Sequence, residues 1–169
     1  MIEPDKLAMM ARAARKEHKA LVKRLSGIHS RKLDERVHAI HDAVFDKINC
    51  LDCAHCCRTL GPRITDADVR RIAASLRIKP SVFVEHYLVV DEDGDYIFRS
   101  MPCPFLGSDN YCTIYDTRPR ACREYPHTDR RRVYQVLDLA LKNSAICPAV
   151  FEILERLRKG TAPSDSRNS

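Results

Sequence analysis

Four cysteines fall within eight residues, in the pattern Cys50-x2-Cys53-x2-Cys56-Cys57. Thiols at two-residue spacing are the usual vocabulary of metal knuckles. Zinc takes four thiolates tetrahedrally, commonly as two such pairs. An iron–sulfur cluster uses a C-x2-C-x2-C run for three corners and a distant cysteine, often followed by proline, for the fourth. Cys50, Cys53 and Cys56 make such a run, and the pair spacing also suits zinc. Four further cysteines, Cys103, Cys112, Cys122 and Cys147, complete a total of eight. Cys103-Pro104 and Cys147-Pro148 both carry the following proline, so zinc and an iron–sulfur cluster remain open together.

Cys57 complicates a single site, because adjacent side chains usually diverge. Cys56 and Cys57 are therefore expected to point apart and to serve one or two metal centres. His55 and His127 are possible substitute ligands, although surface histidines often bind nothing. His38 and His41 lie one helical turn apart, but helix formation already accounts for them. A catalytic thiol is the sharper alternative: Arg58 beside Cys57 and Arg123 beside Cys122 would favour a thiolate. The same positive charges would offset a four-thiolate site, and no cysteine is accompanied by a base–nucleophile motif. The catalytic residues, if any, stay unassigned.

The elements that must position these thiols are mainly helical. Leu7, Met10, Ala14, Leu21 and Leu25 recur at helical spacing from about Pro4 to Leu25, and Ser26-Gly27 ends the run. Leu33, Val37, Ile40, Val44 and Ile48 make a second stripe from about Lys32 and deliver the chain to Cys50. After Gly61-Pro62, Thr65 reads as an N-cap with Asp66 and Asp68 in the first turn. Lys79-Pro80-Ser81 opens another short helix. The helix pair from Thr65 to Tyr87 could pass for a helix-turn-helix, a reading given little weight.

Leu88-Val89-Val90 and Tyr96-Ile97-Phe98 flank Asp93-Gly94, a hairpin signal. The acidic run there is not a calcium loop, since an EF-hand needs glycine sixth and glutamate twelfth. Residues 101–126 are rich in proline and cysteine, and a metal crosslink is a plausible source of their order. Val133 to Leu141 and Val150 to Leu157 make two more helical patterns. The residues from Gly160 on read as a disordered tail.

Bulk properties exclude some classes. The chain of 169 residues is 44% hydrophobic and 31% charged with five glycines, which suits a helix-rich globular fold rather than disorder. Its first twenty residues are studded with charge and lack the apolar core of a secretory signal, and no stretch suits a membrane span. A cytoplasmic chain with reduced thiols is expected, which favours metal over disulfides. The net charge of +6 gathers in the first third and at Arg130, Arg131 and Arg132. A solvated helix face is preferred there over a nucleic-acid footprint.

Taken in combination, these motifs resemble the YkgJ-type cysteine cluster family, described by its chelation of zinc or iron. The matching residues are the Cys50 to Cys57 cluster, the Thr65/Asp68/Ile72 helix opening and Cys103-Pro104-Phe105-Leu106. Cys112-x-Ile114-Tyr115-x-x-Arg118-Pro119-x-x-Cys122-Arg123-x-Tyr125-Pro126 follows. Tyr125 replaces a common phenylalanine, a mild change. The resemblance implies a shared metal role for the seven cysteines from Cys50 to Cys122, with Cys147 added by extension, and it implies no reaction. Arg118-Pro119 and Arg123 suit an anion or a structural tie to backbone carbonyls, and the structural role is preferred.

The expected architecture is α+β and mostly α: a helical arm (1–48), a cysteine-cluster metal-binding domain (49–159) with a loop core, one short β-hairpin and C-terminal helices, and a tail (160–169). The leading function is a protein that binds zinc or an iron–sulfur centre through thiolates. An iron–sulfur oxidoreductase or electron-transfer protein and a zinc-stabilised nucleic-acid-binding module are the alternatives.

Overall fold

The computed structural model describes residues 2–160, so the segment expected as a tail lies, apart from Gly160, outside the described residues. The fold is α+β and mostly α, as expected. The chain divides into two compact units, one of residues Met1–Asn49 and Pro126–Ser169, the other of Cys50–Tyr125. The N-terminal helices thus share a unit with the C-terminal ones.

In the helical unit, α1 (Pro4–Ser26) and α2 (Arg31–Phe45) follow the two apolar stripes. Ser30 caps α2 by accepting from the Leu33 amide, and Leu33, Val37, Ile40 and Val44 are all buried. Residues 133–136 form a 3-10 turn leading into α8 (Leu137–Asn143), and α9 (Pro148–Lys159) closes the unit. Helix α2 packs on α9, and α1 on α8 and α9. The Val133–Leu141 pattern, expected as one helix, is instead a 3-10 turn followed by α8, and the Asp34 carboxylate accepts from the Arg132 and Val133 amides that open the turn.

In the cysteine unit, α3 (Cys50–Cys53) and α4 (His55–Thr59) are followed by α5 (Asp66–Ser75), α6 (Pro80–Tyr87), strands β1 (Leu88–Val90) and β2 (Tyr96–Phe98), and α7 (Arg120–Glu124). A 3-10 turn at Tyr115–Thr117 precedes α7. The hairpin forms where the sequence placed it, with Leu88 opposite Phe98 and Val90 opposite Tyr96. Gly94 takes φ +82° at its tip, a conformation glycine adopts without a Cβ penalty. Thr65 caps α5 through a full capping box with Asp68.

The core of this unit joins α5, α6, the hairpin and the following loop through Ile72, Phe83, Leu88, Phe98, Phe105 and Ile114. Phe83 is wholly buried, and burying a side chain of that kind contributes about 1.5–3 kcal/mol. The buried faces of α5 and α6 serve this core. Cys50 to Cys57, expected within a loop core, occupy two short helical turns.

Candidate metal centre

The cluster begins with Cys50 and Cys53, which share one face of α3 because three residues span nearly one helical turn. Ala54 then takes the left-handed conformation (φ 47°, ψ 14°) and separates α3 from α4. A non-glycine residue there is uncommon and costly. It turns the chain within two residues, so that Cys56 and Cys57 follow on a new helix. Their Sγ atoms lie 3.9 Å apart. The expectation that Cys56 and Cys57 point apart is thus corrected: the turn of α4 overrides the divergence typical of neighbours.

Three ties bring the later cysteines to this turn. The Cys103 amide donates to the Cys57 carbonyl at 2.9 Å. The chain from Cys103 to Thr113 then doubles back: Leu106 bridges to Cys112, the Gly107 amide donates to the Tyr111 carbonyl, and the Thr113 amide donates to the Phe105 carbonyl. Gly107 suits this reversal, since a Cβ would meet Asp109 Oδ1 at 2.6 Å and the Tyr111 carbonyl oxygen at 3.2 Å and one or both would have to give way. Asn110, at φ 69°, donates to the Asp52 carbonyl and accepts from Arg58 at 2.6 Å, which joins the reversal to the cluster itself.

Cys122 is positioned differently. Asp68 is buried, and its carboxylate accepts from the Thr65 amide and hydroxyl, from Arg71, and from the Arg120 amide at the start of α7. Arg71 also donates to the Arg118 carbonyl. One carboxylate therefore fixes both the opening of α5 and the helix that carries Cys122. Burial works against its charge, but these hydrogen bonds outweigh that and hold the carboxyl below the usual carboxylate range. The sequence marked Asp68 only as a cap; its second role depends on a residue 52 positions away.

Cys57, Cys103, Cys112 and Cys122 each lie within electrostatic reach of the other three. Burial pushes Cys103 up to about 11 and Cys122 up to about 12, and it also raises Cys112. Cys57 stands apart: its hydrogen bond with Cys56, aided by the Arg58 charge, lowers it to about 7. Cys50 is exposed, and burial of its sulfur together with Cys53 and Cys57 raises it. Arg118 lies within reach of Cys112 and Cys122, and its guanidinium also stacks over Tyr115 at 3.8 Å and donates to the Tyr115 carbonyl. The structural tie foreseen for Arg118 is thus present beside its electrostatic effect.

None of the eight cysteines, all among the described residues, forms a disulfide. Among the described residues no three His, Cys, Asp or Glu side chains stand together as a closed metal set. The gathered thiols nonetheless fit a soft cation by their chemistry. Partly buried thiols whose ionisation is opposed by burial and by one another need a positive charge to become thiolates, and a bound metal supplies it. Cys147 belongs to the helical unit, where it is buried at the start of α9 and its carbonyl accepts from the Phe151 amide. His38 and His41 also belong to that unit. His38 Nε2 bonds the Arg130 carbonyl, and His41 Nδ1 bonds the Thr128 hydroxyl. His55 opens α4, and His127, at φ 68°, lies in the helical unit.

A small α+β unit that carries seven cysteines on separate segments suits a metal-chelating class. The chain belongs to the family described as "CxxCxxCC: Putative zinc- or iron-chelating domain", whose model matches residues 49–148. No curated protein and no solved structure matches the chain. No helix among the described residues is long and apolar enough to cross a membrane.

Proposed function

We propose that the cysteine unit is a zinc-binding module in which Cys57, Cys103, Cys112 and Cys122 form one four-thiolate site, with Cys50, Cys53 and Cys56 flanking it. The backbone ties between their segments carry this reading: the Cys103 amide on the Cys57 carbonyl, the bridge of Leu106 to Cys112, and the Asp68 carboxylate on the helix that carries Cys122. The four thiols come from four separate stretches of chain, the arrangement by which a structural metal crosslinks a segment with little core of its own. Four thiolates around a divalent cation leave an excess of negative charge. Arg58, within reach of Cys57, and Arg118, within reach of Cys112 and Cys122, offset it.

An iron–sulfur centre would instead draw on the Cys50, Cys53 and Cys56 run. Metal analysis of protein purified without oxygen separates the two. The expected result is colourless protein with one zinc per chain, retained in Cys50→Ser and lost in Cys122→Ser. Brown protein with labile sulfide, or equal metal loss in both variants, would overturn the assignment.

A further inference from the structure

The net positive charge of the chain lies in one unit. The helical unit holds 19 lysines and arginines against 12 acids, and the cysteine unit 10 against 11. Within the helical unit, residues 128–134 form a strap antiparallel to α2. Thr128 meets His41, the Arg130 carbonyl meets His38, and the Arg132 and Val133 amides meet Asp34. At the end of the strap the ring of Tyr134 stacks on that of His29, with centroids 4.2 Å apart.

Thr128 bonds through its buried hydroxyl and Val133 is buried as well, whereas the other bonds use the strap's backbone and leave the three arginines exposed. Arg130, Arg131 and Arg132 are all exposed, as are Arg31, Lys32 and Arg36 on α2. Two acids of this surface, Asp34 and Glu35, are engaged, while Asp42 stays exposed and acts on His41. Asp34 holds the two strap amides, and Glu35 pairs with Arg31. Asp129 is exposed and acts on His41. The result is a basic ridge on a pinned backbone, ending in an exposed imidazole backed by a phenol ring.

We propose that this ridge binds single-stranded nucleic acid, with the arginines on successive phosphates and His29 as a face on which a base stacks. Arginine suits phosphate through its planar fork of donors, and a ring beside a basic track is the pattern of sequence-tolerant single-strand binding. An acidic peptide would use the charges but not the ring stack.

The test is fluorescence anisotropy of the full-length, metal-loaded protein with a labelled 20-nucleotide single strand of mixed sequence, titrated across salt. The triple variant R130E/R131E/R132E is compared with R12E/R15E/K19E, which makes the same charge change at exposed positions of α1. The ridge variant should bind at least about tenfold more weakly, with the log–log salt slope reduced by about two to three. The α1 variant should keep its slope within about one unit of wild type. His29→Ala should weaken the single strand by about fivefold and leave a duplex of equal length unaffected.

Arg131→Glu alone, which leaves both pinned residues in place, should give an intermediate loss and guards against misfolding of the triple variant. Equal losses in the two triple variants would overturn the proposal. So would tighter binding of anionic phospholipid vesicles or polyglutamate than of the oligonucleotide, or no salt-dependent binding at all.

Discussion

The two units of this chain solve the problem of holding a short polypeptide together in different ways. In the helical unit, long amphipathic helices bury continuous apolar stripes, and polar contacts are added to a core that already exists. In the cysteine unit, the apolar core is built by α5, α6, the hairpin, Phe105 and Ile114. The cluster turn and the Cys103 to Cys122 stretch are instead tied by single hydrogen bonds, by the Asp68 carboxylate and by clustered thiols. Segments with few buried apolar contacts open at low free-energy cost. Order around the thiols is thus expected to depend on a bound cation, and order in the helical unit is not.

Metal removal is the strongest way to break this contrast. Stripping the metal with a chelator, followed by hydrogen exchange, should raise exchange by more than about 100-fold in residues 101–125 and leave α2 and α9 protected. Uniform loss of protection in both units would mean that they do not differ in their dependence on metal.

A second comparison sets the buried Asp68 carboxylate against the half-buried one of Glu155. Asp68→Ala strands the Arg71 guanidinium and the Arg120 amide and should cost about 2–4 kcal/mol in chemical denaturation. In the helical unit, Glu155 bonds His18 Nε2 at 2.9 Å and pairs with Arg158 and Lys159. The Arg158 hydrogen bond, with help from His18 and Lys159 and against burial, lowers its carboxyl to about 2. Glu155→Ala leaves the fully buried His18 without that partner and should cost about 1–3 kcal/mol.

Both carboxyls are depressed on folding, so each contributes stability that is present above the usual carboxylate pKa of about 4 and is lost as pH falls through its lower folded value. Acid titration followed by circular dichroism should therefore show wild type losing stability below about pH 4. Asp68→Asn should flatten part of that dependence.

The smallest expected effect is at the reversal before Cys112. Gly107→Ala must move Asp109 or the Tyr111 carbonyl and should lower stability by about 1 kcal/mol. A measured loss of metal affinity larger than that stability change would place the reversal directly in the organisation of the thiols.

Much of this structure was legible locally. The stripe Leu33, Val37, Ile40 and Val44 specified α2, Asp93-Gly94 specified the hairpin, and Thr65 with Asp68 specified the start of α5. Each is a short-range signal, in which the residues that decide are neighbours in the chain. The anchoring of the 3-10 turn at Arg132 was not legible, because the Asp34 carboxylate that holds its amide is 98 residues away. The same holds for Asn110, whose partners Asp52 and Arg58 are more than fifty residues earlier.

The thiols divide along this line. Their number, their spacing and the family to which they belong follow from the sequence, because ligand chemistry is a property of residue type. Their grouping does not. The Cys103 amide on the Cys57 carbonyl and the Asp68 link to α7 tie together the segments that carry the four proposed ligands, and those contacts join residues that local propensity never compares.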